Sequence, residues 1–304
     1  MQSVNFPPTL LQGDAISIIA PASAVEKEYV EQTVKSLIQL GYNIVPGKNI
    51  YSEYNQFAGT DAQRIADVQE VLDDCDIKAI FCARGGYGSI RIIDSLDFSD
   101  FRKNPKWIIG FSDISVFHSF LNCNYHIPTI HAPMPVNFGS PFFQENLQQL
   151  NSILKGELSE IKFKSNILNR FGKCRGKLIG GNLSILYSLQ STPYEIDTRH
   201  AILFIEDVGE QLYHLDRILN NFRLSGKFRK LKGLIVGGMT DMLDKKKPFG
   251  KTAFEIVREA VESYCFPVAF DFPAGHTDYN IPFILGAEAE LDVDRDGTYL
   301  RYLH

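Results

Sequence analysis

The stretch Lys106-Trp-Ile-Ile-Gly-Phe-Ser-Asp-Ile-Ser115 decides how the N-terminal half of this chain is read. Trp107-Ile108-Ile109 is a short apolar run that reads as a buried strand, and Gly110 stops it. Ile114, Phe117, His118 and Leu121 then recur at spacings of three and four, the period of a helix. Ser112 therefore falls where a strand turns sharply into a helix. That is the geometry of a nucleophile elbow, which lifts a serine hydroxyl clear of its sheet. Amides at the start of a helix also favour developing negative charge. The spelling departs from G-x-S-x-G, because Ser115 stands at the place of the last glycine. The other reading of the same residues is a helix cap made by Ser112 or Asp113.

Outward from this turn, strand and helix patterns alternate. Asp14 to Ala20 reads as a strand closed by Pro21, Glu26 to Leu40 as an amphipathic helix carrying Val30, Val34, Leu37 and Ile38 on one face, and Tyr42 to Val45 as a second strand. A helix is expected over 61–72, with Ile65, Val68 and Leu72 inward, then a strand over 78–82 and a glycine-rich turn. Such alternation predicts a parallel sheet flanked by helices, with ligands at the carboxyl ends of its strands. Gln144 to Leu154 looks helical, and Lys155 to Lys173 is polar and weakly periodic. The second half restarts at Gly176. Ala201 to Glu206 is a strand. Gln211 to Phe222 is a helix with Leu212, Leu215, Ile218, Leu219 and Phe222 inward, and Leu231 to Val236 is a further strand. A helix over 252–264 and short strands around the turn Asp294-Arg-Asp-Gly297 complete a mixed α/β, strand-rich C-terminal part. The expected organisation is an N-terminal domain over 1–155, a linker over 156–175 and a C-terminal domain over 176–304.

The bulk properties narrow the function class. The chain has 304 residues, 44% hydrophobic and 22% charged, within the range of soluble globular proteins. A net charge of -5 argues against a nucleic-acid binder. No apolar run approaches the ~20 residues of a membrane span. Met1-Gln-Ser-Val-Asn-Phe-Pro-Pro8 lacks the basic and apolar regions of a signal peptide. Five scattered cysteines without a Cys-x-x-Cys pair fit a reduced, cytoplasmic protein; Cys82 and Cys265 lie in apolar runs and are expected in the core. No metal-binding spacing is present, and no cofactor is implied.

A serine nucleophile needs a base, and the base needs a group to orient it. Among seven histidines, His118 falls on the apolar face of the Ser112 helix, while His126 and His304 look peripheral. His276 differs, because it lies in the aperiodic loop Pro273-Ala-Gly-His-Thr-Asp-Tyr-Asn280, where Gly275 permits close backbone approach. Its plainer reading is a local hydrogen bond. Glu206 ends an apolar strand and emerges at its carboxyl end; it or Asp207 also suits a helix cap. Two glycine-rich turns, Arg84-Gly-Gly-Tyr-Gly88 and Gly180-Gly181-Asn182, each join a strand to a helix. The first can hold an anion on its amides, but it matches neither nucleotide fingerprint. The second also reads as tight helix–sheet packing.

Together these segments resemble the LD-carboxypeptidase family of serine peptidases. The resemblance rests on Leu11 to Ser23, Phe57-Ala-Gly-Thr-Asp-Ala-Gln-Arg64, Arg84 to Gly88, Gly110 to Ile114, Gly180 to Ser184, Leu203-Phe-Ile-Glu-Asp207 and Gly275-His276, in family order. It implies a Ser-Glu-His triad at Ser112, Glu206 and His276, with the nucleophile on the N-terminal domain and the acid and base on the C-terminal one. It implies an oxyanion held by the backbone amides of Asp113 and Gly86, although the residues do not choose between Gly85 and Gly86. Arg84 and Gly85 are further substrate-binding candidates, Arg84 for the terminal carboxylate.

The implied reaction is removal of terminal D-alanine from a murein tetrapeptide in cell-wall peptide recycling. A homodimer is implied as well. A related branch hydrolyses microcin-type peptidyl-nucleotide conjugates, where an aromatic platform for the base is expected. The single tryptophan, Trp107, sits in the strand before Ser112 and leaves such a platform to be made by tyrosine, which weighs against this branch without removing it. A binding protein that kept this fold and lost catalysis is the third reading, and the presence of all three triad residue types speaks against it.

Overall fold

The computed structural model describes residues 4–303; His304 and residues 1–3 of the N-terminal stretch lie outside it. The chain forms two compact units. One runs to Leu158 and takes back Ile281–Ile284; the other comprises Ser159–Asn280 and the chain from Leu285.

In the first unit, β1 (Ala15–Ile19), α1 (Lys27–Gln39), β2 (Asn43–Pro46), α2 (Asp61–Asp73), β3 (Ile77–Cys82), α3 (Ser89–Ile92), α4 (Ser99–Lys103), β4 (Trp107–Gly110), α5 (Ser115–Phe120), β5 (Thr129–His131) and α6 (Phe143–Leu154) follow in order. A six-stranded sheet has the order β11-β5-β4-β3-β1-β2, with β11 (Phe283–Leu285) contributed by the returning chain. The β2–β1, β1–β3, β3–β4 and β4–β5 pairs are parallel. Ile16, Ile18, Ile80, Phe81, Ile108 and Ile109 are buried, which is why these strands read as continuous apolar runs rather than alternating ones.

The second unit contains β6 (Ile161–Phe163), β7 (Gly172–Asn182), α7 (Leu183–Ser188), β8 (Ile202–Val208), α8 (Leu212–Leu224), β9 (Gly233–Thr240), α9 (Ala253–Ala260), β10 (Val268–Ala269), β12 (Glu288–Val293) and β13 (Thr298–Tyr302). Its seven-stranded sheet, β10-β9-β8-β7-β12-β13-β6, is parallel from β10 to β7 and antiparallel from β7 to β6. Helix α8 buries the five residues expected from its period, Leu212, Leu215, Ile218, Leu219 and Phe222. Each is worth roughly 1.5–3 kcal/mol. That outweighs the missing side-chain cap at Gln211, a loss of about 1 kcal/mol.

Four expectations are corrected. The stretch taken as a linker carries β6 and the start of β7, because Ile161 and Phe163 pair with β13 while Lys173 to Arg175 pair with β12. Polar edge strands lack the apolar run that would have marked them. Ile281–Ile284, assigned by its position to the C-terminal domain, belongs to the first unit. Ile38 is 55% exposed, since the inward stripe of α1 is Val30, Thr33 and Leu37. Cys265 is exposed, because it lies in the connection between α9 and β10 and burial begins only at Phe266. Among the described residues, no helix is long and apolar enough to cross a membrane.

Candidate active site

Ser112 follows β4 with φ +63°, a left-handed conformation that costs a non-glycine residue of order 1–3 kcal/mol. The turn enters through Gly110 at φ +158° and an extended Phe111, and a short 3-10 turn over Ser112–Ile114 leads into α5. Phe111 and Ile114 occupy the cap positions, and neither caps through its side chain. Ser112 and Asp113 therefore occupy neither cap position. His118 lies wholly buried in α5 with Nε2 2.9 Å from the Gly110 carbonyl, and burial pulls its imidazole down to about 4. It is thus a neutral core histidine that donates to the backbone entering the turn.

The glycine-rich turn after β3 lies against this serine. A Cβ on Gly85 would stand 3.0 Å from Ser112 Cβ and 3.1 Å from the Asp113 amide nitrogen, so a larger residue would press on the nucleophile turn. Gly86 has φ +84°, and a Cβ there would meet Ser23 Oγ at 2.3 Å. Ser23 holds the turn, donating from its amide to Gly85 O (3.1 Å) and accepting from the Tyr87 amide at Oγ (3.2 Å). A cavity of about 420 Å³ opens beside Gly86 and is lined by Arg84, Tyr87, Glu26 and Glu53 among others. Arg84 Nη1 donates to Ala24 O at 2.7 Å, which fixes the guanidinium beside this cavity.

The acid and base candidates meet in the second unit. His276 Nδ1 is 2.7 Å from Glu206 Oε2, and the His276 amide donates to the same oxygen at 3.2 Å. Burial alone would lower the His276 imidazole, but the Glu206 hydrogen bond and charge, with a smaller contribution from Asp207, carry it above its usual value. Glu206 is fully buried at the irregularity in the β8–β9 register, where Ile205 faces Val236 and Asp207 faces Met239. Two glycines of β9, Gly237 and Gly238, thus oppose one residue of β8, as in a β-bulge.

Those glycines let the His276 loop approach. A Cβ on Gly237 would meet Ala274 O at 2.4 Å, and one on Gly238 would meet Thr277 Cγ2 at 2.5 Å. Gly275, at φ +110°, has Glu206 Oε2 2.8 Å from where its Cβ would be. Thr240 Oγ1 donates to His276 O and the Gly275 amide to Asn280 Oδ1, closing the loop. The sequence signalled Gly275, whereas Gly237 and Gly238 carried no mark beyond their adjacency.

Asp207 does not cap α8. Its carboxylate accepts from the Ser184 amide (3.0 Å), Ser184 Oγ (2.7 Å) and Asn182 Nδ2 (3.0 Å), and so holds the first turn of α7. Burial, reinforced by Glu206 and opposed by the Ser184 bond, pushes it up to about 6. Gly180 is held by strand–strand rather than helix–sheet packing, since it pairs with Phe204 of β8 and a Cβ on it would run into the Phe204 carbonyl. Ser112, Asp113, Arg84, Gly85 and Gly86 all belong to the first unit, and Glu206 and His276 to the second.

The family model for the LD-carboxypeptidase N-terminal domain matches residues 16–132, and that for the LD-carboxypeptidase C-terminal domain matches residues 175–291. The chain belongs to the LD-carboxypeptidase family. It is accordingly a serine-type peptidase. A probable murein peptide carboxypeptidase of Bacillus subtilis is 33% identical over 302 residues, covering 95% of this chain and 92% of that protein. The murein tetrapeptide carboxypeptidase of Pseudomonas aeruginosa is 32% identical, covering 92% and 94%. The crystal structure of a muramoyltetrapeptide carboxypeptidase from Oxalobacter formigenes superposes with a TM-score of 0.85 at 26% identity, covering 95% of this chain and 99% of that one. The microcin C7 self-immunity protein MccF, solved with adenosine monophosphate, has a TM-score of 0.86 at 23% identity over 97% and 98%. That last likeness is one of fold. Both sheets of the LD-carboxypeptidase architecture, one parallel-rich and one strand-rich and mixed, are thus present in this chain.

Proposed function

We propose that this LD-carboxypeptidase removes the terminal D-alanine of murein tetrapeptides, with Ser112 as nucleophile, His276 as general base and Glu206 as its orienting acid. The observation that carries the reading is the buried Glu206 bound at 2.7 Å to His276 Nδ1, which leaves Nε2 as the ring nitrogen for proton transfer. The strained φ of Ser112 supports the nucleophile assignment. The names of the Pseudomonas and Oxalobacter relatives support the substrate.

His276 Nε2 takes the hydroxyl proton as Ser112 Oγ attacks the carbonyl carbon before D-alanine. The resulting oxyanion is received by the Asp113 and Gly86 amides, with Gly85 as the alternative donor of the pair. Collapse breaks the C–N bond, His276 returns the proton to the leaving amine, and Ser112 is left as an ester. Water, deprotonated by His276, then releases the shortened peptide and the free serine. Arg84, beside the cavity next to Gly86, is assigned to the substrate carboxylate, and Gly85 lines the approach to Ser112.

Under this reading the N-terminal domain supplies the nucleophile and the C-terminal domain the acid and base. The setting is cytoplasmic recycling of wall peptides. A homodimer accompanies the assignment, since closed two-fold assemblies are the commonest; sedimentation at the mass of a single 34.3 kDa chain would remove it. The functional test is release of free D-alanine by the wild-type protein from a murein tetrapeptide, beside a microcin-type peptidyl-nucleotide. Cleavage of the tetrapeptide is expected. Cleavage of the conjugate alone would replace this substrate with the other.

A further inference from the structure

The glycine-rich turn is gripped at one particular peptide unit, the bond between Gly88 and Ser89. Its carbonyl oxygen accepts from Arg64 Nη1 at 3.0 Å, and its amide donates to Asp113 Oδ2 at 2.8 Å. Both side chains come from far along the chain, Arg64 from α2 and Asp113 from the residue after Ser112. Both residues are 1% exposed. A buried guanidinium on the carbonyl and a buried carboxylate on the amide lie at opposite ends of one peptide dipole. Each bond is charge-assisted, and each charge offsets the other's burial through the peptide between them.

The rest of the environment is built around this arrangement. Arg64 Nη1 also donates to Pro21 O at 2.6 Å, and Nη2 pairs with Asp61, itself held by Arg91. The Phe57 ring lies 5.0 Å from the guanidinium carbon. Gly88 has φ +148°, and a Cβ there would stand 2.6 Å from Arg64 Nη1, so only glycine admits the guanidinium. Burial raises the Asp113 carboxyl, while the Ser89 amide and the Arg64 charge oppose that rise.

We infer that Arg64 and Asp113 are positioning residues for catalysis, which clamp the Gly88–Ser89 peptide from both ends and so fix the Gly85–Gly86 amides against Ser112. This rests on the acyl-transfer reading above. In that reading Asp113 acts twice, its amide toward the oxyanion and its carboxylate toward the turn that supplies the second amide. A donor displaced by about 1 Å loses most of its effect on a developing oxyanion, and a structural side chain without that duty would not change the rate.

The test compares Asp113→Ala, Asp113→Asn, Arg64→Met and Arg64→Lys by kcat and KM for D-alanine release and by amide hydrogen exchange of the segment 85–89. Asp113→Ala is expected to lower kcat by about 10- to 100-fold with KM nearly unchanged, and to expose the Ser89 amide to exchange. Asp113→Asn keeps an acceptor oxygen and should retain most of kcat and of the protection. Arg64→Lys should fall between Arg64→Met and wild type. The double variant Arg64→Met with Asp113→Ala should lose less than the product of the single losses, because both release the same peptide.

Wild-type kcat in a folded Asp113→Ala protein, equal losses in the Asn and Ala variants, or unchanged exchange over 85–89 would each overturn the inference. Where Arg64→Met fails to fold, the Asn–Ala comparison at Asp113 decides alone. If the wild-type protein releases no D-alanine, the substrate reading fails, and the exchange data still judge the clamp.

Discussion

Glu206 has leverage over His276 because it is buried: a carboxylate removed from water holds a hydrogen-bonded imidazolium far better than an exposed one. The direction of the resulting shift can be tested. In the proposed mechanism His276 must be neutral to accept the Ser112 proton, and its raised pKa keeps it protonated to higher pH. The acid limb of kcat/KM should therefore have its midpoint above the ordinary imidazole value of 6.5. Glu206→Gln removes the hydrogen-bonded charge and leaves burial, which favours the neutral ring. Its midpoint should move to lower pH while its rate falls severely. A limb that does not move between wild type and Glu206→Gln would show that another group titrates there.

At the scale of elements, the site depends on places where regular structure is interrupted. The register break opposite Glu206 and the two glycines of β9 admit the loop of His276, and the left-handed turn at Ser112 admits Gly85. Gly237→Ala should drive a methyl into the Ala274 carbonyl, shift the His276 loop and reduce kcat by about 10- to 100-fold. The protein should keep its fold, as circular dichroism would verify. Undiminished kcat would mean the loop tolerates that displacement.

Much of this was legible. The apolar runs of β1, β3, β4 and β8 announced buried parallel strands, and the strand-to-helix change at Gly110 announced the turn of Ser112. Polar edge strands such as β6 were not legible, because their pairing residues carry no apolar run. The role of Arg64 was also hidden: the sequence marks it only as the end of the Phe57–Arg64 stretch, and only the fold reveals the carbonyls that surround it.

For the molecule as a whole, the assignment divides one reaction between two units of the chain. Ser112, Asp113 and Gly86, proposed as nucleophile and oxyanion donors, belong to one, and Glu206 and His276, the proposed acid–base pair, to the other. Residues that act as one catalytic unit lose activity together. Adding His276→Ala to Ser112→Ala should therefore change the residual rate little. The most direct measurement is kcat for D-alanine release by Ser112→Ala, with its fold verified beside wild type. The account predicts a loss on the order of 10⁴- to 10⁶-fold, the scale seen when a triad nucleophile is removed. Retention of the wild-type kcat by a folded Ser112→Ala protein would contradict it.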